Sequence, residues 1–155
     1  MPKLEKHIII PHKPDQVFGL VADISRYPEF IRWIQSMSVT GERSDAAGDH
    51  CVGNAVVGFK GFHERFSTLV TANKAANRIT VRLERGPFRH LDNRWTFTET
   101  RQGTTRVDFF IDYEFKNPIL GMLAKMNTSI AVNKIMQAFI DEADRRFGAP
   151  QASLI

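Results

Sequence analysis

The feature of the sequence that most constrains the fold is a long helix predicted near the C-terminal end of the chain. Asn117 can cap its first turn, and Pro118 suits the first helical position. Gly148, followed by Pro150, ends the helix. From Val132 onward, apolar residues recur at steps of three and four, with polar residues opposite. Because such a helix gains most of its stability from tertiary packing, the preceding residues must cover its apolar side.

The first half of this helix carries a second set of apolar residues, which we call the N-terminal stripe. It consists of Ile119, Leu120, Met122, Leu123, Met126 and Ile130. At about 100° per residue, this stripe points roughly a quarter-turn away from the later one. The helix therefore either bends near Thr128 and Ser129 or faces two different surfaces. We expect both stripes to be part of the core. For the N-terminal stripe, the alternatives are a cavity wall and a membrane contact, because methionine side chains are adaptable.

Most of the remaining chain alternates apolar and polar residues with a period of two, which predicts strands with one apolar face. The predicted strands cover residues 3–11, 36–43, 51–59, 62–71, 77–84, 88–98 and 105–115. Two short helices are predicted after the first strand, one opened by Pro14 and one started by Pro28. This order predicts an α+β fold, in which a seven-stranded antiparallel curved sheet wraps around the long C-terminal helix.

A strongly curved sheet and a straight helix cannot stay in contact along their whole length. We therefore expect a void between them, lined by aromatic and methionine side chains.

The length of 155 residues, 43% of them hydrophobic, predicts a single domain over residues 1–155. The single cysteine, Cys51, excludes an internal disulfide and favours a reducing cytoplasm. No apolar run reaches the length of about 18 residues that a membrane span needs.

The net charge of +4 is unevenly distributed, because residues 60–106 alone carry a net charge of +6. On strands, these basic residues are expected to form a solvated sheet face. Attraction to anionic lipid or to RNA is the alternative.

Residues with catalytic or metal-binding chemistry do not form a recognisable pattern. The five histidines, predicted to be scattered on the surface, are His7, His12, His50, His63 and His90. None of them belongs to a zinc motif, and Cys51 is expected to be a buried, inert thiol. Asp108, Asp112 and Glu114 share the polar side of one strand and are expected to be solvated. The sequence therefore predicts no enzyme, no catalytic residue and no metal.

Glu64 is the exception among the acidic residues. If Phe62 and Phe66 point inward, the period of two carries Glu64 inward as well. An inward carboxylate needs a partner and can serve as a polar handle in an apolar site. The alternative, which we favour from sequence, is a register shift or a β-bulge that exposes it.

Five segments carry a resemblance to a known family. They are VADISRYPEF at 21–30, FHERFSTLV at 62–70, GPFRHL at 86–91, WTF at 95–97 and FFIDYEF at 109–115. In order and spacing they resemble the coenzyme-Q-binding START-domain family, within the START-like helix-grip superfamily of polyketide cyclases/dehydrases and ribosome-association toxins. That family often has Pro and then Trp after the YPEF stretch, whereas this chain has Arg32 before Trp33. We expect this departure to change the mouth of the cavity and not the fold.

The resemblance implies non-enzymatic binding of ubiquinone, or a similar isoprenoid lipid, in an internal cavity. Such a protein would support respiratory electron transport as a carrier or chaperone, with ubiquinone as a bound ligand and no cofactor. The inward alternation and the helix stripes select the candidate ligand-binding residues, which are Trp33, Phe62, Glu64, Phe66, Phe88, Trp95, Phe109, Met122, Met126 and Met136.

A long isoprenoid tail keeps the ligand in a bilayer, so a carrier must dock there. We expect a transient, peripheral contact at the inner face of the membrane, through the start of the long helix and the aromatic corner at Tyr27, Phe30 and Trp33. A ribosome-associated interaction protein is the alternative function, favoured by the basic middle region and by the toxin relatives. A cyclase-like enzyme is disfavoured by the missing acid/base pair, and no DNA partner is expected.

Overall fold

The computed structural model describes residues 3–59 and 62–148, without the side chains of Phe59 and Phe62. Its elements confirm the order predicted from the sequence. They are β1 (Lys3–Ile10), α1 (Pro14–Ala22), a 3-10 helix (Ile24–Glu29), β2 (Ile34–Asp45), β3 (Gly48–Phe59), β4 (Phe62–Asn73), β5 (Arg78–Arg85), β6 (Phe88–Glu99), β7 (Thr105–Phe115) and α2 (Pro118–Phe147).

The strands form one seven-stranded antiparallel sheet in the order β1-β7-β6-β5-β4-β3-β2. Residues directly opposite each other on neighbouring strands share a face of the sheet. Trp95 lies opposite Ile79 on β5 and opposite Phe109 on β7, and all three side chains are buried. The predicted apolar face is therefore confirmed, and we call it the inner face.

The connection from β1 to β2 runs from one edge of the sheet to the other through α1 and the 3-10 helix. Val17, Leu20 and Val21 of α1 are buried in the core. The prediction that the second short helix starts at Pro28 is wrong, because this helix begins at Ile24 and contains Pro28. A 3-10 helix is a short run of i→i+3 hydrogen bonds, so a proline close to its end removes few of them.

Helix α2 is continuous over its 30 residues and has the predicted caps. The side chain of Asn117 accepts hydrogen bonds from the amides of Ile119 and Leu120, at 2.9 and 3.4 Å. Gly148, with a φ of 90°, follows the last turn, in a region of backbone space that favours glycine. No described helix combines the length and the apolar character that crossing a bilayer requires.

The two halves of α2 differ in burial. Val132, Met136 and Phe139 in the second half are at most 4% exposed and belong to the main core. The expectation that the N-terminal stripe is also core is wrong for most of its members. Five members of the stripe are 54% to 72% exposed, namely Ile119, Met122, Leu123, Met126 and Ile130. At about 100° per residue, Ile119, Leu123, Met126 and Ile130 lie on the side of the helix opposite Thr128, whose hydroxyl contacts Tyr113 of the sheet. The helix therefore faces two different surroundings.

Candidate functional site

Four aromatic side chains gather on the sheet near the start of α2, and we call them the four-ring cluster. They are Phe66 of β4, Phe88 of β6, and Tyr113 and Phe115 of β7. The ring centroids of Phe66 and Phe88 lie 5.4 Å apart, edge to face, and those of Phe88 and Phe115 stack at 4.6 Å. Tyr113 approaches Phe88 at 6.3 Å. The cluster therefore joins three strands by aromatic contacts at the uncovered end of the inner face.

Gly86, just before β6, makes this cluster possible. Its φ of 153° lies in a region that side chains avoid, and an added Cβ would lie 2.4 Å from the Cβ of Phe66. The turn therefore lets Phe88 reach Phe66 past the end of β5. The turn role predicted for residues 86–88 is confirmed, and Phe88 is 9% exposed.

A second group of aromatic rings, which we call the core cluster, lies under the C-terminal half of α2. Trp95 contacts Phe109 at 4.9 Å and Phe139 at 5.1 Å between centroids. Tyr27 and Phe30 each reach the ring of Phe139 at 5.3 Å. The indole Nε1 of Trp95 donates to the side-chain oxygen of Asn93 at 2.9 Å, which satisfies its buried donor.

The predicted ligand-binding residues therefore divide between different places. Phe66 and Phe88 lie together in the four-ring cluster, with Glu64 on the same strand as Phe66. In the packed core lie Trp95, Phe109 and Met136. Their contact with a ligand stays a prediction, and in the structure their side chains pack against other core residues.

Three further predicted residues lie at the periphery of the site. Met122 and Met126 are 65% and 72% exposed, so neither is enclosed. Trp33 is half-buried against the main core, and its carbonyl accepts a hydrogen bond from the amide of Gly58 at 2.8 Å. The side chain of Phe62, also predicted to bind ligand, lies outside the described residues.

Glu64 lies on the inner face and is half-buried. It stands opposite Val57 of β3, in the same face as Phe66, which stands opposite Ala55. The β3–β4 register continues without a shift from Asp49 to Phe59, so the expected bulge that would expose Glu64 is absent from this strand pair. Within the described part of the chain, its carboxylate has no hydrogen-bond or ion-pair partner.

The hydroxyl of Tyr113 forms a hydrogen bond with the hydroxyl of Thr128 on α2. Thr128 also donates to the carbonyl of Ala124, one turn earlier in the helix, at 2.6 Å. Burial raises the pKa of the Tyr113 phenol, against a smaller lowering by the bond to Thr128. This contact was missed from sequence, although the period of two in β7 already placed Tyr113 on the inner face.

A surface cleft of about 330 Å³ lies between the end of β7 and the start of α2. Met122 and Tyr113 contribute to its lining. Its charged residues are Arg89, Lys116, Lys125 and Glu114. Basic side chains therefore adjoin the exposed N-terminal stripe.

The opposite, outer face of the sheet is polar. Arg78, Arg82 and Arg94 are exposed there, as expected for a solvated face, and the Arg94 guanidinium lies 4.4 Å from the centroid of Phe110. Asp108 accepts hydrogen bonds from His7 and, at 3.0 Å, from Arg106. Burial opposes ionisation of Asp108, but these hydrogen bonds outweigh it and lower its pKa.

The histidines are less scattered than predicted. His50 and His90 contact Asp45 and Asp112 at 2.8 and 3.0 Å. The prediction is wrong for His12, which is 8% exposed; its Nε2 lies 2.8 Å from Asp144 of α2, so it joins the start of α1 to the end of the long helix. Within residues 3–59 and 62–148, no three His, Cys, Asp or Glu side chains converge as metal ligands.

Cys51 is half-buried, and burial raises the pKa of its thiol. A thiol with a raised pKa is a weak nucleophile because less of it is ionised at neutral pH. The expectation that Cys51 is buried is wrong, because it is half-buried, and its inert role stays a prediction.

The seven-stranded sheet, the two short helices and the long covering helix define the START-like helix-grip class. A START superfamily protein from Mycobacterium smegmatis shares this fold, with a TM-score of 0.79, 19% identity and coverage of 92% of this chain and 97% of that one. The 18 kDa protein CC1736 from Caulobacter crescentus aligns with a TM-score of 0.80 at 36% identity, covering 96% of this chain and 100% of that one.

The family model described as polyketide cyclase / dehydrase and lipid transport matches residues 10–140, and the chain belongs to this family. The coenzyme Q-binding protein coq10 of Schizosaccharomyces pombe is 31% identical over 87% of this chain and 82% of its own length. The ribosome association toxin RatA of Rickettsia prowazekii is 31% identical over 84% of this chain and 88% of its own length. The resemblance found in the sequence is thereby confirmed.

Proposed function

We propose that this protein binds ubiquinone, or a similar isoprenoid lipid, at the uncovered end of the inner face. It acts there without catalysis, as a carrier or chaperone that supports respiratory electron transport. The observation that carries this proposal is the N-terminal stripe, which has five exposed members and of which Met122 shares a cleft with Tyr113 and Phe115 of the four-ring cluster. Five exposed apolar side chains along one stretch of helix are typical of a ligand or membrane contact.

The chemistry of this end of the sheet suits a quinone with an isoprenoid tail. The half-buried ring of Phe66, against which Phe88 packs, offers aromatic surface to a flat head group, and the flexible thioethers Met122 and Met126 can adapt to a tail. Glu64 supplies one polar group on the same strand and face as Phe66. A mostly apolar site with few polar groups is the usual composition for such a ligand, and similarity to coq10 supports this choice.

A peripheral membrane contact is part of the proposal. The exposed stripe would enter the apolar boundary of the bilayer, while Arg89, Lys116 and Lys125 of the adjoining cleft meet anionic head groups. Each basic residue near an anionic surface contributes about 1 kcal/mol, so three of them support weak, salt-dependent binding. The protein would then work in the cytoplasm and reach the inner face of the membrane transiently.

Ribosome association is the second candidate function. Similarity to toxins of that name supports it, and the exposed arginines of the outer face are the surface that would contact RNA phosphates. Salt-sensitive cosedimentation with ribosomal subunits, without lipid in the purified protein, would favour this function over lipid binding.

The test of lipid binding is equilibrium dialysis with a ubiquinone that carries a short isoprenoid tail. Phe66→Ala and Phe88→Ala should each weaken binding, whereas the matched control Phe110→Ala, on the outer face, should leave the affinity unchanged. Equilibrium dialysis measures the bound ligand directly, so the result does not depend on quenching of tryptophan fluorescence. Equal affinity in all three variants and the unmodified protein would contradict the site.

A further inference from the structure

The carboxylate of Glu64 is a hydrogen-bond acceptor that the fold turns toward the inner face without giving it a donor. The continuous β3–β4 register fixes its direction, and its side chain is half-buried. Among the described residues, no Arg, Lys, His, hydroxyl or amide donates to it. A partly desolvated carboxylate in this condition gains from any ligand that supplies a donor.

The position of Glu64 relative to the rings matters as much as its chemistry. Glu64 and Phe66 are two residues apart on β4, which places their Cα atoms about 7 Å apart on the same face. Phe66 in turn contacts Phe88. A six-membered ring packed on these aromatics therefore has its ring substituents within reach of the Glu64 side chain.

The two redox forms of a quinone differ in what they can offer. The oxidised form carries carbonyl oxygens, which only accept hydrogen bonds, whereas the reduced quinol carries two hydroxyl groups that donate. An ionised carboxylate cannot donate, so it repels a carbonyl lone pair and forms a strong charge-assisted hydrogen bond with a hydroxyl.

From this geometry we infer that Glu64 makes the protein selective for the reduced, quinol form of its ligand. This inference rests on the proposed function and names the redox state that the same site prefers. No electron or proton is transferred in the step: the quinol hydroxyl donates to a Glu64 carboxylate oxygen and remains protonated. Glu64 is thus a specificity-determining residue.

The size of the preference follows from the strength of the bond. A hydrogen bond to a charged group corresponds to a change of about tenfold or more in affinity. Tighter binding of the reduced form also raises the midpoint potential of the bound couple, by about 30 mV for each tenfold preference in a two-electron reaction. The affinity ratio and the potential are therefore thermodynamically linked, and each can be measured by a separate method.

The experiment measures the dissociation constants of a short-tailed ubiquinone and of its chemically reduced quinol, under anaerobic conditions and at neutral pH. The unmodified protein is compared with Glu64→Gln, which keeps the size of the side chain and can donate as well as accept. Glu84→Gln, on the exposed outer face of β5, removes the same charge elsewhere and is the matched control.

We expect the unmodified protein and Glu84→Gln to bind the quinol at least about tenfold more tightly than the quinone. Glu64→Gln should bind both forms with nearly equal affinity, and its bound couple should have a lower midpoint potential. Equal binding of both forms by the unmodified protein, or an unchanged preference in Glu64→Gln, would overturn the inference and leave lipid binding intact. Binding of neither form would instead overturn the proposed function.

Discussion

The hydroxyl of Tyr113 on β7 is hydrogen-bonded to the hydroxyl of Thr128 on α2, where the exposed half of the helix meets the buried half. N-terminal to this contact, the apolar stripe of α2 is largely uncovered. C-terminal to it, the helix packs into the main core. The contact therefore fixes the uncovered half of α2 to the sheet at one point.

Replacement of Tyr113 by Phe should loosen the first half of α2. Loss of the hydroxyl removes its hydrogen bonds with Thr128 and, at 3.4 Å, with the carbonyl of Ala124, and each such bond corresponds to about 0.5–1.5 kcal/mol of stability. Hydrogen exchange followed by mass spectrometry should show faster exchange over residues 118–128 and little change over residues 132–147. Thr98→Val, on the exposed outer face, is the control, and equal exchange in both variants would remove the role given to Tyr113.

Phe139 is the residue of α2 on which the core cluster converges, and it is 1% exposed. Phe139→Ala should reduce the free energy of unfolding by about 3–5 kcal/mol, because it leaves a cavity among several rings. Ile119→Ala in the same helix, at a position that is 70% exposed, should change stability by less than about 0.5 kcal/mol. Denaturant unfolding measures both, and a near-normal midpoint for Phe139→Ala would contradict its placement.

Membrane docking predicts that acidic substitutions in the N-terminal stripe prevent binding to vesicles. The double variant Leu123→Asp, Met126→Asp should fail to float with anionic liposomes at low salt, because it adds charge to the inserting surface. The unmodified protein should float with anionic liposomes at low salt and lose binding at high salt or with neutral lipid.

The control for this experiment is Ile9→Asp, Leu69→Asp, which changes two exposed apolar residues on the outer face of the sheet. It should float like the unmodified protein. Equal flotation of the stripe variant, with its fold intact, would remove the start of α2 from the docking surface.

Glu142 links stability to pH near the end of α2. It is 4% exposed and accepts hydrogen bonds from Arg145 and Arg146 at 2.8 and 2.6 Å. The hydrogen bond from Arg145 is the main cause that lowers the pKa of Glu142 from 4.5 to about 2. Burial opposes this shift, and the hydrogen bond from Arg146 adds to it. Because the folded state lowers this pKa, the stabilisation is present above the unfolded value of about 4.5 and is lost as the pH falls toward 2.

Glu142→Gln should therefore be less stable than the unmodified protein near neutral pH, and the difference should narrow as the pH falls to about 2. Thermal unfolding across this range measures the difference. A constant difference at every pH would mean that the charge of Glu142 contributes nothing.

The parts of the fold predicted correctly are those with a local cause. The caps of α2, the alternation in β5 to β7 and the turn at Gly86 depend on neighbouring residues, so the sequence reveals them. Alternation identifies the face to which a side chain belongs but not its distance from α2. For this reason Trp95 and Phe109 could be assigned to the inner face from the sequence, but their packing in the core cluster could not be predicted.

Other features depend on contacts between distant parts of the chain. The exposure of the N-terminal stripe depends on which side of α2 faces the sheet, and the bond between Tyr113 and Thr128 depends on the register of a helix over a strand. The His12–Asp144 contact likewise joins residues from the two ends of the chain. None of these follows from periodicity.

Lipid binding at the uncovered end of the inner face is tested by identifying what the purified protein carries. The protein is purified without detergent from cells that make ubiquinone, extracted with organic solvent, and the extract is analysed by mass spectrometry. We predict ubiquinone or another isoprenoid lipid in near-stoichiometric amount, and a clear loss of it in a Phe66→Ala, Phe88→Ala variant that still folds. An extract without isoprenoid lipid, or an equal amount from the variant, would contradict the account.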